Sequence, residues 1–212
     1  MLSDLPDDHD VPHLRAALAF VTKRNPVPRI AVDGGAHRGI WTRVLCHAFQ
    51  QVLAFEPQAD NFKALDRLRD SFTALQCFNT ALGERRGFGH LRPGPENTGQ
   101  FHLTDDPEAP AVNILPLDSL DLKNVDFLKL DVEGFELFAL QGAARTIDRC
   151  RPVVLIEENG LCQRYGVKDG QAGGWLMARG YKLALRCNKD FIYTPPSRVT
   201  ICASPVPENS HG

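Results

Sequence analysis

A doubly wound α/β fold, with helices on both faces of a mostly parallel sheet, is the fold class that this sequence predicts. Short apolar runs such as RIAVD, VLAFEP and FLKLDV alternate with longer amphipathic segments along the chain. The length of 212 residues also fits one domain rather than several. Strands that alternate with helices favour parallel pairing, and right-handed crossovers then bring the loops after the strands to one edge of the sheet. A ligand is therefore expected at that edge.

The composition excludes several classes of protein. Residues that are hydrophobic make up 43% and charged residues 24%, which is typical of a folded globular domain. The 24 basic residues nearly cancel the 26 acidic ones, so we expect neither nucleic acid nor a membrane as a partner. The N-terminal segment MLSDLPDDHD lacks the basic and apolar regions of a signal peptide. We therefore expect a cytoplasmic location. The scattered cysteines and histidines lack the spacing of a zinc site or a disulfide framework.

The predicted elements divide the chain into a short leader and one main domain. A first helix is predicted over about residues 10–24, within an N-terminal helical segment 1–28. The main domain spans 29–203, with a polar insertion or lid at 84–110, and a tail 204–212 is expected to be disordered. The predicted strands are RIAVD, QVLAFEP, FTALQCFNTAL, VDFLKLDV, RPVVLIEE, YKLALR and VTICAS.

The turn AVDGGAHRG after the first strand is a candidate cofactor loop. Gly35 and Gly39 follow the acid Asp33, whereas His37 stands where a dinucleotide-binding loop has its second glycine. Glycine lets the backbone pass close to a bound nucleotide or nucleoside, because a Cβ would collide with it. Asp33 would repel a pyrophosphate but suits a cationic amine or a sulfonium, which favours S-adenosylmethionine (SAM) over NAD. A tight turn without a ligand is the alternative.

Glu56 is a second acid at the end of a predicted strand. It lies 23 positions after Asp33, close to the offset of about 20 residues at which an acid holds ribose hydroxyls in Rossmann-like sites. Its two oxygens can each accept a hydrogen bond from one hydroxyl of a vicinal diol. An exposed strand end before Pro57 is the alternative.

Several segments resemble, in this order, the motifs of the FkbM family of SAM-dependent methyltransferases: VDGGAHRGIWT, VLAFEPQADNFKAL, NTALGERRG, PLDSL, DFLKLDVEGFELFALQGA and RPVVLIE. They cover about residues 30–157. The resemblance implies a class I methyltransferase fold, in which a seven-stranded sheet has its last strand antiparallel. It also implies methyl transfer, usually to a hydroxyl of a sugar or secondary metabolite. Family members often carry asparagine in place of His37, so a contact beside the methionine part of the cofactor is expected to differ.

The resemblance also implies cofactor roles for particular residues. It places Thr42 near the carboxylate of the cofactor, Glu56 on the ribose, and Asn79 or Ala81 beside the adenine. The cofactor loop is assigned to Asp33, Gly35 and Gly39.

Asp131 in LKLDVEG is the predicted catalytic residue, because it ends the fourth strand, next to the first strand in this topology. A carboxylate there can orient an acceptor hydroxyl or take its proton as the new C–O bond forms. Glu133 is expected instead to complement the dipole of the following helix. Lys129 is unusual in an apolar strand, so we expect it to extend outward or to pair with a carboxylate such as Asp118.

A magnesium ion is a further possibility at this edge. Glu157, Glu158 and Asn159 follow Asp131 at the end of the next strand, and oxygen ligands from neighbouring strand ends could hold Mg²⁺ against a substrate hydroxyl. The resemblance does not require the ion. His90 and His102, in or near the polar insertion, are further candidate bases, although a histidine in a loop is more often merely exposed.

The leading hypothesis is therefore O-methylation of a small-molecule or glycan acceptor with SAM as the methyl donor. A non-catalytic, methyltransferase-like SAM-binding or interaction module is the alternative. An NAD-linked oxidoreductase is a weaker third reading, since the sequence lacks G-x-G-x-x-G. No pattern in the sequence indicates the oligomeric state, and specificity loops carry no motif that identifies the acceptor.

Overall fold

The computed structural model describes residues 11–94 and 101–196, and within them eleven strands form two sheets. The strands are β1 (Ile30–Gly34), β2 (Gln51–Phe55), β3 (Leu75–Phe78), β4 (Ala81–Leu82), β5 (Gly87–Pro93), β6 (Phe101–Thr104), β7 (Ala111–Leu115), β8 (Val125–Leu130), β9 (Val153–Glu157), β10 (Lys182–Cys187) and β11 (Asp190–Thr194). The helices are α1 (Val11–Arg24), α2 (Ile40–Ala48), α3 (Ala59–Asp66), α4 (Glu136–Gln141), α5 (Ala144–Cys150) and α6 (Gln171–Met177).

The main sheet has the strand order β10-β11-β9-β8-β1-β2-β3. Strand β11 runs antiparallel to both of its neighbours, and the remaining pairs are parallel. This arrangement confirms the predicted doubly wound fold and the antiparallel last strand. Because β1 lies between β2 and β8, the loops after these three strands meet at one edge of the sheet.

The last strand of this sheet comes from a different segment than the sequence predicts. YKLALR overlaps β10, but VTICAS lies outside the described residues, and the antiparallel strand is Asp190–Thr194. Asn188 joins β10 to β11 with a left-handed φ of 54°, a conformation that asparagine tolerates better than most residues. Asn188 and Lys189 therefore form a hairpin turn between the two strands.

Apolar packing on both faces of the main sheet forms the core. On one face, helix α1 buries Leu14, Ala17, Leu18 and Val21 against the sheet. The His13 Nδ1 atom also lies 2.8 Å from Asp190 Oδ2, which ties the helix to β11. The predicted N-terminal helical segment thus contributes to the core of the main domain. None of the helices in residues 11–94 and 101–196 combines the length and apolar character of a membrane span.

The second sheet has the order β4-β7-β5-β6, and its strands β5 and β6 lie within the segment expected to be a polar insertion. Strand β5 pairs antiparallel with both β6 and β7. The hydroxyl of Tyr165 donates a hydrogen bond of 3.0 Å to the carbonyl of Leu103, and so connects β6 to the chain that follows β9. The described part of 84–110 is therefore largely β-structure.

Candidate functional site

The glycine turn after β1 packs directly against the end of β8. Gly35 has a φ of 73°, and a Cβ there would lie 1.7 Å from the backbone carbonyl oxygen of Asp131. Gly39 has a φ of 85°, and its Cβ would lie 2.4 Å from a methyl carbon of Leu68. Both positions need glycine for contacts within the protein. The sequence argument, in which a side chain at Gly35 would collide with a bound nucleotide, gave a different reason for the same residue.

Asp33 is fully buried beneath this turn. Its Oδ2 atom accepts a hydrogen bond of 2.7 Å from the hydroxyl of Thr42, which is also fully buried. Neither side chain lines the cavity at the edge of the sheet. The two residues contact each other, which fixes helix α2 to the end of β1, and the cofactor contacts expected of them stay a prediction.

Lys129 neither extends outward nor pairs with Asp118. Its side chain is only 3% exposed, and its Nζ atom lies 3.3 Å from Asp33 Oδ1 and 3.5 Å from Asp131 Oδ2. Nζ also lies 3.4 Å from the carbonyl oxygen of Gly35 and over the ring of Trp41. Burial acts to lower the pKa of Lys129, but the charges of the two aspartates outweigh it and raise the pKa.

The Asp118 carboxylate instead caps helix α5. It accepts hydrogen bonds from the backbone N–H groups of Arg145 and Thr146 and from the hydroxyl of Thr146. This contact satisfies free N–H groups at the start of the helix, as expected for a helix N-terminus. Asp118 is therefore not a partner of Lys129, which instead lies beside Asp33 and Asp131.

The carboxylate of Glu56 is held by two backbone N–H groups. Oε2 accepts from His37 at 2.8 Å, and Oε1 accepts from Gln58 at 2.9 Å. Burial raises the pKa of Glu56 to about 6, even though these hydrogen bonds act in the opposite direction. Each oxygen keeps a further lone pair that can accept a hydroxyl hydrogen bond. Glu56 thus faces the cavity in a fixed orientation.

A cavity of about 430 Å³ lies at the C-terminal edge of β1, β2 and β8. Five of the predicted site residues line it: Gly35, His37, Glu56, Ala81 and Asp131.

Gly39 and Asn79 do not line this cavity, and the cofactor-binding roles expected of them stay a prediction. The Nδ2 atom of Asn79 donates to the carbonyl oxygens of Glu56 and Pro57 at 2.9 and 3.0 Å. Asn79 therefore shapes the backbone that carries Glu56. Of the two residues expected beside an adenine, Ala81 lines the cavity and Asn79 does not.

The second sheet covers the cavity from the side opposite the glycine turn. Leu91 of β5 and Phe101 and Leu103 of β6 contribute to the lining, together with Phe135 after β8. The sequence does not single out Leu91, Phe101 and Leu103, because the polar residues around them predict a loop. The period of two in β6, with Phe101 and Leu103 pointing the same way, is the signal that could have identified them.

The two histidines considered as bases lie away from this cavity. His90 Nδ1 is 2.7 Å from the carbonyl oxygen of Ala109. His102 alternates with the cavity-lining residues of β6, and its buried Nδ1 atom has no hydrogen-bond partner among the described residues. Burial lowers the pKa of His102. Neither residue lines the cavity, so neither is positioned as a base there.

Three carboxyl groups cluster where β8 and β9 end. One oxygen from each of Asp131, Glu133 and Glu157 lies within 4.8 Å of the others. Burial, followed by the charge of Asp131, raises the pKa of both Glu133 and Glu157. The side chain of Asn159 donates to Glu157 at 2.6 Å. Of the residues for which a metal is expected from the sequence, Asp131 and Glu157 belong to this group, whereas Glu158 accepts a hydrogen bond from the backbone N–H of Gly173. Glu133 joins the group, although the sequence assigns it to the following helix.

Glu136, rather than Glu133, is the acid in the first turn of helix α4, where negative charge complements the helix dipole. The Glu136 carboxylate accepts hydrogen bonds of 3.1 Å from the backbone N–H groups of Val132 and Gly134, and it is 3% exposed. Burial raises its pKa to about 7. Glu133 itself has a left-handed φ of 56°, and its Oε2 atom is buried with no hydrogen-bond partner among the described residues.

The sheet order, the antiparallel last strand and the position of the cavity define the class of protein: an α/β fold of the class I methyltransferase type. The model of the methyltransferase FkbM domain matches residues 33–183. The chain belongs to the FkbM methyltransferase family. No curated protein matches the chain.

Solved structures agree with this fold. A methyltransferase FkbM from Methylobacillus flagellatus KT is 21% identical with a TM-score of 0.59, and the match covers 91% of this chain and 56% of that one. The present chain thus spans little more than half of that protein. An rRNA methylase from Streptococcus thermophilus is 14% identical, with a TM-score of 0.51 and coverage of 85% and 95%. A Streptococcus mutans protein in complex with SAH is 10% identical, with a TM-score of 0.50 and coverage of 85% and 94%.

Proposed function

We propose that this protein transfers a methyl group from SAM to a hydroxyl oxygen of a sugar or other small molecule. The observation that carries the proposal is the placement of two acids on one cavity. Glu56 presents a carboxylate fixed by two backbone N–H groups, and Asp131 presents a second carboxylate from the end of β8. The first suits a ribose diol, and the second suits a hydroxyl that must lose its proton.

Family membership supports methyl transfer, and the Streptococcus mutans neighbour in complex with SAH supports SAM as the donor. In the proposed orientation, the ribose lies at Glu56, the adenine lies beside Ala81, and the methionine part follows the turn of Gly35 and His37. All four residues line the cavity. The methyl group then points toward Asp131.

The proposed reaction is an in-line displacement. A lone pair of the acceptor oxygen forms the new bond to the methyl carbon, while the carbon–sulfur bond breaks and its electron pair remains on sulfur. The sulfonium becomes the neutral thioether of S-adenosylhomocysteine (SAH), and the hydroxyl proton passes to Asp131. Proton transfer to a well-placed group contributes about 10²- to 10⁴-fold to such rates. The carboxylate of Asp131 is part-exposed at 38%, which leaves room for an acceptor beside it.

The first test is calorimetric titration of the purified protein with SAM and SAH, with NAD as the control. We expect both adenosyl ligands to bind and NAD not to bind. If neither adenosyl ligand binds, the proposal fails and an interaction module without the cofactor becomes the leading hypothesis. Binding followed by SAH release in a screen of acceptors, starting with sugars, would establish catalysis.

Two variants separate the roles of the acids. Glu56→Gln removes a charged acceptor and is expected to weaken SAM binding by about 10- to 100-fold, because hydrogen bonds to charged groups contribute about 1.5 to 3 kcal/mol. Asp131→Asn is expected to retain SAM binding and lose about 10²- to 10⁴-fold in turnover. Asp70→Asn, on the exposed surface, is the matched control. Full activity in both site variants would contradict the assignment.

Magnesium, location and partners remain separate predictions. The comparisons give Mg²⁺ no support, and the carboxyl cluster at Asp131, Glu133 and Glu157 is the place to test for it. If Mg²⁺ takes part, SAH release in the acceptor screen falls on addition of a chelator and returns with the ion. A cytoplasmic location and an acceptor that is neither nucleic acid nor membrane are parts of the same proposal.

A further inference from the structure

A buried lysine, Lys129, lies at the cavity where the proposed reaction would change the charge of the methyl donor. Lys129 lines the cavity, and its ammonium group is held between Asp33 and Asp131. Asp33 lies behind it, fully buried and outside the lining. A cation that is 3% exposed is costly to bury, so its place beside the cavity requires the two aspartates.

We propose that Lys129 is a positioning residue that sets the relative affinity of the cavity for the cationic methyl donor and its neutral product. This inference rests on the proposed function, because it requires the sulfonium to lie near Asp131. Lys129 holds the carboxylate of Asp131 at the cavity edge and offsets part of its negative field. The cavity thereby binds the sulfonium less tightly than Asp33 and Asp131 would bind it without the lysine.

The physical reason lies in what happens to the charge. SAM carries one positive charge on sulfur, and SAH carries none there, so methyl transfer removes a cation from the cavity. Attraction that stabilises only the reactant raises the barrier to reaction. A fixed ammonium group beside the sulfonium disfavours the reactant relative to the transition state, in which that charge is already dispersing.

The geometry also keeps the ammonium group fixed. Besides the two aspartates, Nζ lies 3.4 Å from the carbonyl oxygen of Gly35 and 5.5 Å from the centre of the Trp41 ring. These contacts come from the turn after β1 and from the start of α2, in addition to the two aspartates. Lys129 and Asp33 are direct partners in the register of β8 and β1. The charge therefore has a defined position relative to the turn proposed to carry the cofactor.

The test compares the dissociation constants of SAM and SAH for wild type and Lys129→Met, measured by calorimetry at one pH. The ratio of SAM to SAH affinity is the readout, because damage to the shared adenosyl site affects both ligands equally. We expect the ratio to shift toward SAM by about 10-fold, on the scale of charge interactions a few ångströms apart in a protein. Turnover, where an acceptor is found, is expected to fall.

Matched variants make the outcome decisive. Lys129→Arg retains the charge and is expected to keep the wild-type ratio, while Lys63→Met removes an exposed lysine paired with Asp60 and is expected to leave it unchanged. If the Met variant does not fold, the double variant Asp33→Asn/Lys129→Met is used, in which neutral side chains replace both charges of the buried pair. It should show a smaller shift in the same direction, since Asp33 is farther from the cavity.

An unchanged ratio in a folded Met or double variant would overturn the inference, as would the same shift in Lys129→Arg. Thermal unfolding of each variant identifies those that are folded. Failure of the proposed function gives a different result, because the wild-type protein would then bind neither SAM nor SAH. Binding of both ligands by wild type with no change of ratio in the variants would reject only the role of Lys129.

Discussion

The turn after β1 and the turn after β8 lie against each other, yet they differ in how their acids are satisfied. On the β1 side, Asp33 is paired with Thr42 and Lys129, and both oxygens of Glu56 accept backbone hydrogen bonds. On the β8 side, Glu133 keeps a buried oxygen without a hydrogen-bond partner in the described chain.

This difference matches the two tasks of the proposed reaction. Asp33 Oδ1 and Glu133 Oε2 are both buried without a hydrogen bond among the described residues, but Asp33 faces the ammonium group of Lys129. A donor can be met by such a rigid turn with its charges already offset, which costs little reorganisation on binding. An acceptor is met by groups that can still make bonds. Burial and the charge of Asp131 raise the pKa values of Glu133 and Glu157, although Glu157 accepts a hydrogen bond from Asn159.

The contact between the two turns can be broken at Gly35. In Gly35→Ala, the Cβ would lie 1.7 Å from the carbonyl oxygen of Asp131, at a φ of 73°. We expect a loss of about 4 kcal/mol or more in the free energy of unfolding, or failure to fold, because backbone cannot move aside without disturbing β8. Urea unfolding measures this change. Gly174→Ala is the control: its Cβ would meet no atom within 4 Å in helix α6, and we expect a small gain. Equal behaviour of the two variants would contradict the packing argument.

The β8 side can be tested through Glu136, whose folded pKa of about 7 lies above its ordinary value of 4.5. The raised pKa means that its contribution to stability is fully present below about pH 4.5 and is lost as the pH rises through 7. Glu136→Gln stays neutral and keeps an oxygen to accept from Val132 and Gly134. We therefore expect wild type to lose on the order of 2 kcal/mol more than the variant between pH 5 and 8.

Urea unfolding of both proteins at the two pH values measures the difference, and titrations common to both cancel. Parallel loss of stability in the two proteins would show that the carboxyl group of Glu136 does not titrate as its burial implies. The same comparison with Asp70→Asn, at an exposed position, should show no divergence from wild type.

The smallest effect is expected at His37 in the β1 turn. Its φ of 51° is left-handed, a conformation that asparagine adopts because its short polar side chain can hydrogen-bond locally. We expect His37→Asn to gain about 0.5 kcal/mol, or about 1 to 2 °C in Tm by thermal unfolding. His47→Asn, in helix α2, is the control. It loses the ring contact of His47 with Phe72, so we expect no gain in stability. A loss of stability in His37→Asn would mean that the imidazole itself is needed.

The central strands were predictable because most of their residues are apolar. Strands β1, β2, β8 and β9 are largely buried, which leaves runs of apolar residues in the sequence, interrupted only by residues such as Asp33 and Lys129. The second sheet was not predictable in the same way. Its strand β5 contains two glycines and a proline, and its Phe88 is 81% exposed. Its pairing with β7 depends on residues far away in the chain, which local patterns do not reveal.

Within the site, the sequence located the acids but not their partners. Asp33 and Lys129 each stand one position before the end of their strand, and β1 and β8 are parallel neighbours, so the two residues meet in register. That shared position was the available signal for an ion pair. Side-chain direction could not be deduced from Asp33 alone, because an acid at a strand end can turn toward the ligand edge or inward with equal sequence support.

The contact of Gly35 with Asp131 separates two constraints on the same turn. The glycine meets the backbone carbonyl oxygen of Asp131 and makes no demand on the carboxylate. Position 35 is therefore closed to substitution, whereas a change of side chain at 131 spares this contact but removes a partner of the buried Lys129. Under the proposed function, new acceptor chemistry at position 131 requires a compensating change at position 129, while the glycine turn stays constant.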